Sequence, residues 1–272
     1  MSLTRTHMFG VDFSGSQTPG RSIWITEARY NTGGFKIESC RSAIDRFNLS
    51  SNPSRDTVYN ELRDLVRSHP SAVFGFDFPF SLPEPVIGDN TWPEYLDTLQ
   101  NYFDNHSAER FRKNRVGRAE SATGARYLRR ETDWKYGGQC PYSPQIQYQT
   151  LYGQRDLLAP LITKGGARAL PLQTRVNKSP WLIEVYPAAT LSLLGFYRQG
   201  YKNQPKSKER RESNVDGLRN RGVKINNSIR DICRKSDDAH DSLFAAYAVL
   251  NALQDDFPKD NNGAAIEGQI FV

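Results

Sequence analysis

Cysteine is scarce. Cys40, Cys140 and Cys233 are spread over 272 residues with no Cys-x-x-Cys pair. That spacing argues against a disulfide framework and against a cysteine zinc site, and it favours a reducing cytosol. No apolar run approaches the roughly 18 residues of a membrane helix. The opening MSLTRTHMFGVDF lacks the apolar stretch of a secretory signal. Internal repeats and low-complexity linkers are missing, so one domain with elaborations is the expectation over 1–272. Only four histidines are present, and His7, His69 and His106 carry no partner signature. Aromatics are not scarce: 14 Phe, 13 Tyr and 4 Trp supply core material and exclude a disordered chain.

Charge of one sign is in short supply only on average. The net value is +6. Residues 106–135 carry +5 and residues 198–235 carry +8, which leaves −7 for the remainder. A basic protein therefore has an acidic body, and the positions of those acids become the question.

MFGVDF (Met8–Phe13) has the pattern of a short buried strand, and Ser22–Tyr30 and Phe35–Arg41 those of two more, joined by a turn at Asn31–Gly34. Ser54–Arg67 has helical spacing at Val58, Leu62, Leu65 and Val66. Ser71–Phe80 is apolar on both sides of Asp77, as a fully buried strand is. A helix is expected near Trp92–Phe103, another at Ile146–Ile162, and an insertion over about 84–145. WLIEVY (Trp181–Tyr186) is a further buried strand closed by Pro187, with a short helix over Ala188–Phe196. A basic helical segment at about 198–235, broken at Gly222, precedes an apolar helix over Asp237–Leu253. These elements predict an α/β fold: a mixed five-stranded sheet, a three-stranded antiparallel meander plus parallel strands, with helices on both faces.

Acids stand at the ends of these elements: Asp12, Asp77, Glu184 within WLIEVY, and Asp237, Asp238 and Asp241 opening the last helix. A buried unpaired carboxylate costs several kcal/mol, and converging carboxylates commonly share a hard cation such as Mg²⁺ or Mn²⁺. If the first and fourth strands are parallel neighbours, Asp12 and Asp77 lie side by side. Asp238 and Asp241 share a helix face, whereas Asp237 points elsewhere. Simpler roles stay open: a turn former for Asp12, a cap for Asp77, an arginine partner such as Arg168 or Arg175 for Glu184, and a helix-dipole role for Asp237 and Asp238. His240 falls between the helix acids on another face and is expected to be a surface or packing residue.

GVDFSGS (Gly10–Ser16), FGFDFPFSLP (Phe74–Pro83), WLIEVYPAATL (Trp181–Leu191) and DDAHDSLFAAYA (Asp237–Ala248), in that order, resemble the landmarks of domain-of-unknown-function family 429. AIEGQIFV (Ala265–Val272) resembles that family's usual ending. The family is grouped with predicted RNase H-like nucleases, so the resemblance implies an RNase H-like sheet. The Asp-x-x-Asp spacing at Asp238 and Asp241 is also similar to that of Holliday-junction resolvases. Carried over, this implies Asp12, Asp77, Asp238 and Asp241 as ligands of two Mg²⁺ or Mn²⁺ ions, with Glu184 as an outer ligand or proton relay.

Arg110, Arg112, Lys113, Arg115, Arg118, Arg126, Arg129 and Arg130 interleave with Phe111, Tyr127 and Trp134. Cations contact phosphates and exposed aromatics stack on unpaired bases, so this stretch is a candidate nucleic-acid surface; a solvated helix face is the simpler alternative. A metal-dependent nuclease of DNA or RNA is the leading expectation. The rivals are an actin-like ATP-dependent phosphotransferase using Ser14–Gly15–Ser16, disfavoured by the proline-rich FPFSLPEP, and a non-catalytic nucleic-acid-binding protein.

Overall fold

The computed structural model describes residues 4–102, 107–257 and 264–272. The chain opens with the expected meander. β1 (His7–Asp12) pairs antiparallel with β2 (Trp24–Asn31), and β2 with β3 (Gly34–Ser42). α1 (Ala43–Phe47) leads to α2 (Arg55–Arg67), where the Ser54 hydroxyl accepts the Thr57 N–H as an N-cap. β4 (Ala72–Phe76) then enters the sheet parallel to β1. Pro79, three residues past the end of β4, has no N–H to donate and cannot extend the ladder.

The next stretch is helical: α3 (Glu84–Ile87), α4 (Trp92–Tyr102), α5 (Ala108–Thr123), α6 (Glu131–Tyr136), α7 (Gln147–Tyr152) and α8 (Ala159–Ile162). The helix expected over 146–162 is divided by a wide π-type turn at Gly153–Leu158, where the Phe78 ring packs directly on Gly153. Phe103 and His106 lie outside the described residues. β5 (Arg168–Leu170), β6 (Trp181–Val185), α9 (Pro187–Leu193), α10 (Ser207–Asn220), α11 (Asn227–Lys235), α12 (Asp237–Gln254), α13 (Ala264–Glu267) and β7 (Ile270–Phe271) complete the chain.

The sheet order is β3-β2-β1-β4-β6-β5, with β7 also paired to β6. There are thus seven strands where five were expected. β5 and β7 are three and two residues long, too short to show a period of two. The result is a mixed α/β sheet flanked by helices, consistent with an RNase H-like arrangement. No helix among the described residues is long and apolar enough to cross a membrane.

Strand alternation divides the core. Phe9, Val11, Phe74, Phe76 and Leu182 face α2, α4 and α5. Met8, Val73, Ile183 and Val185 face α9–α12. Trp92, Tyr95, Leu96 and Phe111 join the first of these clusters, so the expected insertion shares the core of the sheet. α12 is buried on nearly every side, as its apolar circumference requires.

The contact between β1 and α12 is close. A Cβ built on Gly10 would stand 2.1 Å from the Ala246 nitrogen and 2.3 Å from the Ser242 oxygen, both backbone atoms. At Gly75 the nearest atom is a Val249 methyl at 2.6 Å, which is able to turn away. Gly10→Ala is therefore expected to lower stability by about 3 kcal/mol, the upper end of overpacking costs, and Gly75→Ala by about 1 kcal/mol. Urea unfolding of the two variants measures the difference.

Candidate functional site

Parallel register places the first two acids together. Val11 is opposite Phe76, and the Asp77 N–H donates to the Val11 carbonyl at 3.0 Å, so Asp12 and Asp77 leave the sheet side by side. Following Met8 and Gly10 in alternation, Asp12 points toward α12. α12 starts near this strand edge, with the Ser236 hydroxyl accepting the Ala239 N–H, and it brings Asp238 and Asp241 close enough for their charges to act on Asp12. Asp12 and Asp241 are both buried. Asp12, Asp77 and Asp238 make no side-chain hydrogen bond or ion pair that the geometry among the described residues supports.

The electrostatics follows from this proximity. Burial and then the charges of Asp241 and Asp77 hold the Asp12 carboxyl well above the usual range. Burial and Asp241 push Asp77 up to about 8. Burial and Asp237 raise Asp238 to about 6. Asp241 goes the other way: burial disfavours its charge, but His240 and Lys202 outweigh burial and hold it below the ordinary carboxylate range. Its Oδ2 takes the Lys202 ammonium at 2.5 Å and the Tyr201 hydroxyl at 3.3 Å. Its Oδ1 is 3.2 Å from His240 Nδ1, whose other ring nitrogen lies 3.2 Å from the Asn214 amide. His240 is thus fully buried behind Asp241 rather than at the surface. Lys202 and Tyr201 were not singled out in the sequence; the one available signal was a lysine–tyrosine pair inside the basic segment that precedes α12.

Glu184 lines the same cleft as Asp77, and its charge adds to the rise of the Asp77 carboxyl, but its own partners differ. It is in register with Phe76, one position out of phase with Asp77, and so projects to the opposite face. There Arg130 binds both its oxygens, at 2.7 and 2.5 Å, and the Phe80 N–H donates to it at 2.8 Å. The expected arginine partner exists, but it is Arg130 rather than Arg168 or Arg175. Asp133 takes the other side of the same guanidinium at 2.8 Å and caps the Arg130 N–H at 2.9 Å. Against burial, these two acids keep Arg130 protonated.

Two expected nucleic-acid contacts are corrected by burial. Arg130 is consumed by Glu184 and Asp133, and Arg115 lies inside against the Tyr95 and Phe111 rings. Neither reaches a polyanion. Arg110, Lys113, Arg118, Arg126 and Arg129 are exposed, and Arg112 is half-buried, donating to Gln147. Arg129 stacks over exposed Trp134 at 4.7 Å. Arg129, Trp134 and Tyr127 border a hollow of about 480 Å³. Gln139 is shared between it and a cleft of about 200 Å³ lined by Asp77, Gln149 and Tyr186 and also by Arg130, Asp133 and Glu184.

The fold and these carboxylates define an α/β protein with a buried acidic group at the carboxyl ends of its central parallel strands. Residues 10–261 match the family described as "Protein of unknown function (DUF429)", and the chain belongs to that family. Comparison with curated proteins and with solved structures gave no match.

The donor set suits a hard divalent cation: all are carboxylate oxygens, and three of the four carboxyls are raised by burial and by neighbouring acids. As placed, no three His, Cys, Asp or Glu side chains among the described residues converge on a single point. Lys202 accounts for this in part, because it holds Asp241.

Two predictions follow from these environments. With Asp77 at about 8 in the fold and 3.8 as its ordinary value, the protonated form is favoured by folding. That contribution is complete below about pH 4 and is lost as pH rises through about 8. In the presence of a chelator, Asp77→Asn is expected to melt higher than wild type at pH 8 and to converge with it near pH 4, as read by thermal scans. Arg130→Met strands two buried carboxylates and is expected to cost roughly 3–5 kcal/mol at neutral pH, measured by urea unfolding.

Proposed function

We propose that this protein is a metal-dependent nuclease hydrolysing phosphodiester bonds of DNA or RNA. The observation that carries this reading is geometric: the register of β1 and β4 and the start of α12 gather Asp12, Asp77, Asp238 and Asp241 at one strand edge, where burial raises the first three. Asp12, Asp77 and Asp238 would hold Mg²⁺ or Mn²⁺, with Asp241 as the remaining candidate ligand. Divalent ions there supply Lewis-acid stabilisation of the attacking and leaving oxygens of a phosphodiester.

The chain's own residues supply the rest. Ser236 fixes the start of α12, and His240 orients Asp241 from behind. Arg110, Arg112, Lys113, Arg126 and Arg129 offer charge to a phosphate backbone, and Trp134 and Tyr127 offer faces to bases. The hollow they border shares the lining residue Gln139 with the cleft at Asp77. Glu184 borders the same cleft and supports the site by anchoring the turn at Phe80, just after Asp77.

Cleavage of labelled single- and double-stranded oligonucleotides with Mn²⁺, Mg²⁺ or chelator tests this. Cutting is expected only with metal. Asp12→Asn should reduce it at least about 100-fold, since even outer partners of a metal site are worth 10–100-fold, while circular dichroism stays unchanged. Five phosphate contacts by the named basic residues should make affinity fall roughly 10²–10³-fold between about 50 and 200 mM salt. ATP binding without cleavage, or salt-independent affinity, would sink the reading.

A further inference from the structure

Among the described residues, Lys202 is the one cation paired with a member of the carboxylate group. Its ammonium is 2.5 Å from Asp241 Oδ2, and its charge also reaches Asp12, Asp77 and Asp238. The residue is placed there by construction. Tyr201, buried, packs its ring 5.0 Å from His240 and donates its hydroxyl to the same Asp241 oxygen. Arg211, also buried, donates to the Tyr201 carbonyl and, at 3.0 and 2.9 Å, to the Arg234 carbonyl. The backbone entering Lys202 is thereby tied to α10 and to the end of α11, immediately before α12.

A metal ligand must offer a free lone pair in the right direction. Asp241 Oδ2 already takes two donors and Oδ1 faces His240, so Asp241 has little left for an ion while Lys202 is in place. Asp12 and Asp77, side by side at the strand ends, are not engaged in this way. Charge balance points the same way. Once an ion has displaced their protons, four carboxylates against one ammonium present three negative charges. One divalent ion reduces these to one, whereas a second would turn a buried site net positive, which burial disfavours.

We propose that Lys202 is a built-in occupant of the site that takes the place of one of two cations, so that the protein binds a single divalent ion, on Asp12 and Asp77. This deepens the nuclease reading and rests on it. In the reaction, the tethered ammonium then provides fixed positive charge beside the ion, as a point charge with three donors.

Isothermal titration of the full chain with MnCl₂ at neutral pH tests the stoichiometry without any substrate. Wild type is expected to take one equivalent. Lys202→Met, which frees Asp241, should take two. Lys202→Arg, which restores the charge, should return to one. Thermal scans and circular dichroism of both variants check that the fold is retained, and the arginine variant keeps the test decisive if the methionine variant is unstable. Two equivalents in wild type, or one in Lys202→Met, overturns the proposal while leaving a metal-dependent nuclease standing. No binding in any of the three proteins removes both.

Discussion

Parallel strands end at a common edge, and side chains in register there have no choice about their neighbours. In this protein the register of β1 and β4 makes those neighbours Asp12 and Asp77, and the start of α12 adds Asp238 and Asp241. Each acid alone is tolerable. Together, partly or wholly buried, they repel one another, and the pairing that secures the centre of the sheet enforces the repulsion. Much of the surrounding architecture compensates for it: the helix N-terminus with its capping serine, the buried His240 and the ammonium of Lys202 all direct positive or partially positive groups at the same few oxygens.

The two faces of the sheet handle buried charge differently. On the α12 face, four carboxylates share one lysine, and positive charge is deficient. On the opposite face, Glu184 and Asp133 enclose Arg130 from two sides, with nearly every donor of the guanidinium used. One arrangement is open to a further cation and the other is closed. That contrast, within a few residues along β6 and β4, is what separates a candidate reaction centre from a structural ion pair.

Much of this was legible in the sequence. The meander, the buried fourth strand, WLIEVY and the last helix have the lengths and periods that local rules recognise, and adjacency of Asp12 and Asp77 follows once β1 and β4 are taken as parallel. What local patterns do not carry is phase between strands. Glu184 looks equivalent to Asp77 because both interrupt apolar runs, yet a shift of one residue in register gives Glu184 the Arg130 guanidinium as partner while both border one cleft. Long-range partners were equally hidden. Arg130 is 54 residues from Glu184 and sits in a stretch whose composition suggests a polyanion surface. Lys202 was obscured by the same averaging, being counted as one charge among many in a basic segment. β5 and β7 are simply too short to leave a pattern.

The closed triad has a consequence for how this sequence can change. Arg130 also donates to the carbonyl of Glu267 at 3.1 Å, so it links β6, the start of α6 and α13. Substituting any one of Arg130, Asp133 or Glu184 leaves buried charge without its counterpart. A concerted exchange to uncharged residues of matching volume removes the problem at once. The three positions therefore form one epistatic unit: single steps between its charged and neutral versions pass through deficient intermediates, and viable sequences on either side are separated by a valley rather than a slope.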